Sequence, residues 1–234
     1  MRHGWEGVVL KLFRAKDFVF TVTGAEQVTE RYRRVHFTDG GLLEATGVHP
    51  TMWVRLWFDN AGRPHQRAYT LVDPDVGAGT FSLEFALHDG CASDWSRKAE
   101  PGDTIEATVQ GTGFEVPDPL PPRMLVVGDP ASLPAINSLL AAAPKLPATI
   151  WFETTCETDH ELPFRIEDHH ELRTVPRSQL VENVKADLRE LSTPDTYVWI
   201  ACDTTTTRAL TTYVLKDLAI PKHRVKSLGY WKAA

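Results

Sequence analysis

Cysteine is scarce in this chain: Cys91, Cys156 and Cys202 are the only three among 234 residues, and no two stand in a CxxC spacing. A disulfide framework, a structural zinc site and a cysteine-held iron–sulfur cluster therefore lack a ligand set. Such usage fits a reducing, cytoplasmic setting. No apolar run approaches the ~20 residues that cross a bilayer as a helix. Met1 to Phe20 carries charges, Asp17 among them, where a secretory signal would have a continuous apolar core. The G-x-G-x-x-G dinucleotide fingerprint is absent, as are the G-x-S-x-G elbow of serine hydrolases, internal repeats and low-complexity tracts. The nearest glycine pair, Gly111 and Gly113, precedes a proline-rich segment instead of a helix. Positive charge is not in excess either, since 25 Lys and Arg against 31 Asp and Glu leave a formal charge of -6, and no nucleic-acid partner is expected.

What remains is an ordinary globular composition, 42% hydrophobic and 24% charged, long enough for one large or two modest domains. Up to about residue 115 the apolar period is two. In Thr80 to His88, Phe81, Leu83, Phe85 and Leu87 share one face, with Ser82, Glu84, Ala86 and His88 on the other. Arg33 to Phe37, Thr51 to Phe58 and Thr104 to Val109 also read as half-buried strands. Asp39-Gly40-Gly41, Asn60-Ala61-Gly62, Asp73-Pro74 and Pro101-Gly102-Asp103 supply turns between strands. The pattern predicts an antiparallel β-barrel. Val116 to Pro122 is a stiff proline-rich linker. Beyond it, buried strands (Met124 to Val127, Ala148 to Phe152, Tyr197 to Ala201) alternate with helices (Leu133 to Ala143, Leu180 to Leu188, Arg208 to Leu218), which predicts a parallel α/β sheet. The expected domains are residues 1–116 and 123–234.

Arg67-Ala68-Tyr69-Thr70 is the richest short stretch. An arginine can neutralise a pyrophosphate, a tyrosine two residues on shares its strand face and can lie against an isoalloxazine, and a threonine can offer a hydroxyl. The plainer reading is a polar-aromatic strand fragment. His88 to Trp95 follows the best alternating strand, and its small-residue turn into a helix suits a pyrophosphate, with Ser93 as a further donor. A capped helix start with Trp95 in the core explains the same residues. Gly128-Asp129 to Ala135 lies where open α/β sheets bind ligands, or is a tight turn with Ser132 as N-cap and Pro134 in the first turn. Asp203 either bonds a ribose or caps the helix that begins at Thr205, and Glu153 carries the same two readings. His169-His170 reads as a solvated loop without a third metal ligand. Pro221 to Ala234 holds Lys222, Arg224, Lys226 and Lys232 with no acid, beside Tyr230 and Trp231. It is either a patch that steers an anion or a final strand with solvated charges.

Taken in order, Arg67 to Thr70, His88 to Trp95, Gly128-Asp129 with Leu133-Pro134-Ala135, and Gly229-Tyr230-Trp231-Lys232 resemble the motifs of the siderophore-interacting protein family, flavin-dependent ferric-siderophore reductases related to ferredoxin reductases. The start, Gly4 to Val8 through Ala15-Lys16-Asp17, is similar to the siderophore-interacting domain fused to mycobacterial iron-siderophore ABC transporters. The resemblance implies a two-domain ferredoxin-reductase-like fold, with FAD held through Arg67, Ala68, Tyr69, Thr70, His88, Ala92, Ser93 and Trp95. It implies NAD(P)H over Gly128, Asp129 and Asp203, and a ferric siderophore near Trp231 and Lys232. Val72 stands where the family often has a second arginine, Cys91 for a usual proline, Cys202-Asp203 for a common Gly-Glu, and Lys232 for a frequent arginine. Two rivals accompany the reductase: a flavin–nicotinamide oxidoreductase serving another acceptor, and a non-catalytic module docking siderophore or protein for a membrane transporter.

Overall fold

The computed structural model describes residues 16–109 and 117–232. Gly4 to Ala15, the pair Gly111 and Gly113, and Val116 of the linker lie outside them. The described residues form two compact units, 16–109 and 117–232.

The first unit is a closed antiparallel barrel of β1 (Lys16–Thr29), β2 (Tyr32–Thr38), β3 (Trp53–Asn60), β4 (Arg63–Asp75), β5 (Thr80–Ala86) and β6 (Thr104–Val109), ordered β1-β2-β5-β4-β3-β6. Helix α1 (Leu42–Thr46) follows β2, and α2 (Cys91–Lys98) follows β5. Period-two alternation sends Phe20, Val35, Phe37, Leu56, Phe58, Phe81, Leu83 and Phe85 into one core. Phe81 is its centre, edge-on to Phe20 at 4.9 Å and stacked on Phe37 at 5.5 Å. The β3–β4 hairpin closes through Ala61 and Gly62, both at positive φ, with the Gly62 amide donating to Asp59 at 3.0 Å. That is the backbone twist a two-residue hairpin needs.

Two strand expectations change. The Ser82–Glu84 face of β5 is not half-exposed, because Glu84 lies opposite Arg34 of β2 and accepts its guanidinium at 2.6 Å and the Tyr32 hydroxyl at 2.8 Å. The cross-strand partners cover the carboxylate and satisfy it. Asp73-Pro74 does not separate strands. It is a bulge inside β4, where the register with β5 shifts between Val72 and Asp75 and Asp73 takes φ 48°.

The second unit is a five-stranded parallel sheet of β7 (Met124–Gly128), β8 (Ala148–Thr154), β9 (His170–Pro176), β10 (Tyr197–Ala201) and β11 (Val225–Ser227), ordered β11-β10-β7-β8-β9. Every residue of β7 and β10 is buried, as a central strand covered on both faces requires. The crossovers carry α3 (Leu133–Ala142), α4 (Leu180–Leu191) and α5 (Thr204–Lys216). Leu180, Val184 and Leu188 form a one-sided stripe that joins Val198, Leu210 and Val214 in the core. His170 begins edge strand β9 instead of lying in a loop, paired with Ala148. Its imidazole pKa is lowered, first by burial and then by His169.

The chain leaves β7 to one side for β8 and returns on the other side for β10. The strand order therefore reverses between β7 and β10, the topological switch point where open sheets leave a crevice beyond the strand ends. Gly128 and Ala201 face each other across that point. No helix among the described residues is long and apolar enough to cross a membrane.

Candidate functional site

In the barrel unit, Arg67 and Tyr69 project from one face of β4, and Ala68 and Thr70 from the other. Arg67 is exposed, and its Nη1 donates to the Gln66 carbonyl at 2.8 Å. The Tyr69 ring is half-buried, 4.4 Å from Phe85 and 6.3 Å from Phe58. Burial pushes its hydroxyl pKa well up, so the ring stays neutral. Thr70 is buried opposite Trp53, whose ring lies under the Arg55 guanidinium at 4.9 Å. Phe85 and Phe58 also reach Trp95, at 6.2 and 5.9 Å. They draw the β4 motif and α2 into one aromatic cluster. The core reading of Trp95 therefore holds in the geometry, since Phe37 stacks on it as well.

His88 is exposed, and its amide donates to the Ser93 hydroxyl at 3.1 Å, which folds the loop onto the start of α2. Gly90 precedes that helix at φ 146°, a conformation L side chains rarely adopt, and Ala92 and Ser93 are buried in its first turn. An exposed guanidinium, a half-buried neutral phenol ring and the amides of a helix start together fit the pyrophosphate and the aromatic rings of FAD. Phe58 and Phe85 are the contacts that sequence reasoning did not assign to the site. Their alternation in β3 and β5 was the only signal available.

In the α/β unit, the expected residues meet at the switch point. Asp129 is buried and wholly committed within the protein. Its Oδ1 accepts the Ser132 amide at 3.0 Å, its Oδ2 accepts Trp231 Nε1 at 2.7 Å, and its amide donates to the Ser132 hydroxyl at 2.9 Å. Desolvation still raises its pKa to about 6 against those bonds. A Cβ on Gly128 would stand 2.4 Å from Ile136 Cδ1 and 2.6 Å from Ser132 Oγ. Helix packing requires this glycine, and the turn is filled by its own side chains. Asp203 caps α5, accepting from Thr205 and Thr206 at 2.8 and 3.2 Å, so the helix starts at Thr204.

The C-terminal stretch follows β10 beyond the three residues of β11. Leu228 donates to Ile200, Tyr230 donates to Cys202, and Thr204 donates to Trp231. Gly229 is needed there, because a Cβ would come within 2.9 Å of Thr204 Oγ1. Lys222, Lys226 and Lys232 are exposed, but Arg224 is buried and donates to the Pro119 carbonyl at 2.8 Å. The stretch is thus a solvated strand only in part.

Sequence reasoning missed Arg177. It follows β9 and reaches over the strand ends, 3.3 Å from Glu153 Oε1 and 3.5 Å from Asp203 Oδ2, with its guanidinium 4.7 Å above the Trp231 ring. Asp129, Glu153 and Asp203 are each 1% exposed. Desolvation first, then Asp129 and Asp203, raises the Glu153 pKa to about 7 despite Arg177. Burial first, and then the same acids, push the Cys202 thiol up, away from any reactive thiolate. Among the described residues no group of three metal-ligating side chains is assembled.

Comparison with known proteins follows this division. The family model described as siderophore-interacting FAD-binding domain matches residues 52–110, and that described as siderophore-interacting protein matches residues 121–234. The mycobactin import ATP-binding/permease protein IrtA of Mycolicibacterium smegmatis is 32% identical over 99% of this chain, which covers 28% of that protein. Its counterpart in Mycolicibacterium thermoresistibile is 33% identical over 99% of the chain and is covered over 26%. The chain thus spans about a quarter of the length of these curated relatives. Among solved structures, a siderophore-interacting protein from Acinetobacter baumannii superposes with a TM-score of 0.82 at 20% identity, covering 94% of this chain and 92% of that one. A ferredoxin NADP+ reductase from Neisseria gonorrhoeae, with FAD and NADP bound, gives 0.68 at 17% identity over 92% and 99%. These likenesses establish a ferredoxin-reductase-like fold.

Proposed function

We propose that this chain, which belongs to the siderophore-interacting protein family, is a flavin-dependent reductase that passes electrons from NAD(P)H through FAD to siderophore-bound Fe(III). The observation that carries the reading is the exposed Arg67 beside the half-buried Tyr69 ring, joined through Phe85 to Trp95 of the helix whose first turn holds Ala92 and Ser93. We assign residues 1–116 to the FAD domain and 123–234 to the nicotinamide domain.

In this reading Arg67 neutralises the FAD pyrophosphate, helped by the His88 to Ser93 loop. Tyr69 offers its ring to the isoalloxazine, and Ala68 and Thr70 line the neighbouring strand face. Trp95 acts from behind, holding Phe85 and Phe58 in place. Gly128, Asp129 and Asp203 shape the strand ends that receive the nicotinamide dinucleotide. The chemistry FAD supplies when bound is the conversion of a two-electron hydride donor into single electrons. Hard oxygen donors hold Fe(III) better than Fe(II), so reduction loosens the chelate, and no side chain has to act as acid or base at the metal. Lys232 and the exposed Lys222 and Lys226 draw an anionic chelate. Trp231 gives ring surface only, because its N–H already serves Asp129.

The test is anaerobic turnover of the FAD-loaded protein with NADH or NADPH and a ferric siderophore, with Fe(II) trapped by a coloured ferrous chelator. Ferrous complex should form only when all components are present. Bound flavin without ferrous product would instead favour a non-catalytic docking domain for an iron-siderophore transporter, a reading prompted by the mycobactin import relatives.

A further inference from the structure

The strand ends hold carboxylate oxygens that no hydrogen bond within the described residues satisfies. Glu153 Oε2 and Asp203 Oδ2 are buried and accept no hydrogen bond, but Asp203 Oδ2 has the Arg177 guanidinium 3.5 Å away as an ion pair. An unpartnered acceptor in such a place is costly, and Glu153 Oε2 is the one that lacks a donor. Glu153 ends the strand next to β7, 25 positions after Gly128. An acid about 20 residues beyond the first strand-to-helix turn is where open α/β sheets meet the hydroxyls of a bound ribose.

The surroundings decide which ribose. The amides that could greet a phosphate are already used, Ser132 by Asp129 and Thr205 and Thr206 by Asp203. Arg177 is the cation over Glu153 and Asp203, and it divides its charge between them. Its own side chain is 42% exposed, so it can swing outward and uncover Glu153 without disturbing the core. A hydroxyl that enters can donate to Glu153 Oε2. A phosphate monoester cannot, because it is an acceptor and carries the same sign of charge as its neighbours.

We infer that this edge takes the dinucleotide whose adenosine ribose carries free hydroxyls, NADH and not NADPH, and that Glu153 is the selecting residue. The inference rests on the proposed nicotinamide role of this unit and sharpens it. Arg177 is the cover over the acceptors and stays paired to Asp203 when it opens.

Equilibrium binding tests this without turnover. The full chain loaded with FAD is titrated calorimetrically at pH 8 with NAD+ and NADP+, which carry the adenosine riboses of NADH and NADPH without reducing the flavin, and with ADP-ribose and 2′-phospho-ADP-ribose. NAD+ should bind at least tenfold more tightly than NADP+, and the ADP-ribose pair should show the same ratio. Glu153→Gln, which keeps the shape but removes the charge, should reduce the ratio to threefold or less by weakening NAD+ and relieving NADP+. Circular dichroism establishes that the variant is folded. The wild-type ratio decides the matter even if that variant unfolds. Equal or tighter binding of NADP+ overturns the selectivity while leaving the nicotinamide role intact. Failure of all four ligands to bind a yellow, folded protein overturns both.

Discussion

At the residue scale, Arg67 and Arg177 are both guanidiniums near an expected cofactor, yet their surroundings give them different work. Arg67 is exposed and bonded to a main-chain carbonyl, so its charge is available to an incoming pyrophosphate. Arg67→Ala should therefore weaken FAD binding by more than about 1.5 kcal/mol, the loss expected for a charge-assisted contact. Fluorescence titration of the apoprotein reads this directly, and unchanged affinity in a folded variant would remove Arg67 from the flavin site. Arg177 is instead held by two buried carboxylates and an indole. Arg67 was legible because a motif of four consecutive residues carries it. Arg177 was not, because its partners Glu153, Asp203 and Trp231 are 24 to 54 positions away and nothing local marks it.

At the element scale, the turn from β7 into α3 explains why a glycine stands at 128. The first turn of α3 presses Ser132 and Ile136 against the strand end, leaving no volume for a side chain. Gly128→Ala should cost about 1–3 kcal/mol through overpacking of a buried contact. Changing Ile136 to Val in the same chain should recover part of that loss, because the two sites share one volume. Thermal unfolding of the single and double variants measures it, and full stability of Gly128→Ala would show that the turn is looser than drawn. Slowed flavin reduction in such a variant would therefore report packing as well as ligand approach. The helices α3, α4 and α5 and strands β2, β3, β5, β6, β7, β8 and β10 were legible from period and turn residues. Long β1, β4 beyond its motif, and edge strand β9 were not. Their exposed, polar-rich sequences lack a clean alternation, and only pairing with neighbours holds them extended.

At the scale of the whole molecule, the buried acids of the α/β unit set how stability follows pH. Asp129 and Glu153 have folded-state pKa values raised to about 6 and about 7, from 3.8 and 4.5. The folded chain then binds more protons than the unfolded one between those limits, so stability falls as pH rises through roughly 4 to 7. Asp159 and Asp203 are shifted down and act oppositely in more acid solution, and His170, lowered from 6.5 by burial, opposes the fall with pH up to its ordinary range without outweighing the two acids. Wild type should melt lower at pH 8 than at pH 5, and Glu153→Gln should flatten that difference and gain more than about 1 kcal/mol at pH 8. Calorimetric melting at the two pH values checks this, and an equal pH response in wild type and variant would show that Glu153 is ionised without cost. The sequence by itself determined the class of each half, a barrel from period-two strands and a parallel sheet from apolar runs alternating with helices. Those patterns are local consequences of which faces must be buried. It also placed the motifs at strand ends, since turn chemistry is local. Only the tertiary structure decided which residues meet there. Strand order, which no local pattern encodes, sets Gly128 opposite Ala201, brings Trp231 onto Asp129, and lays Arg177 across acids from two other strands.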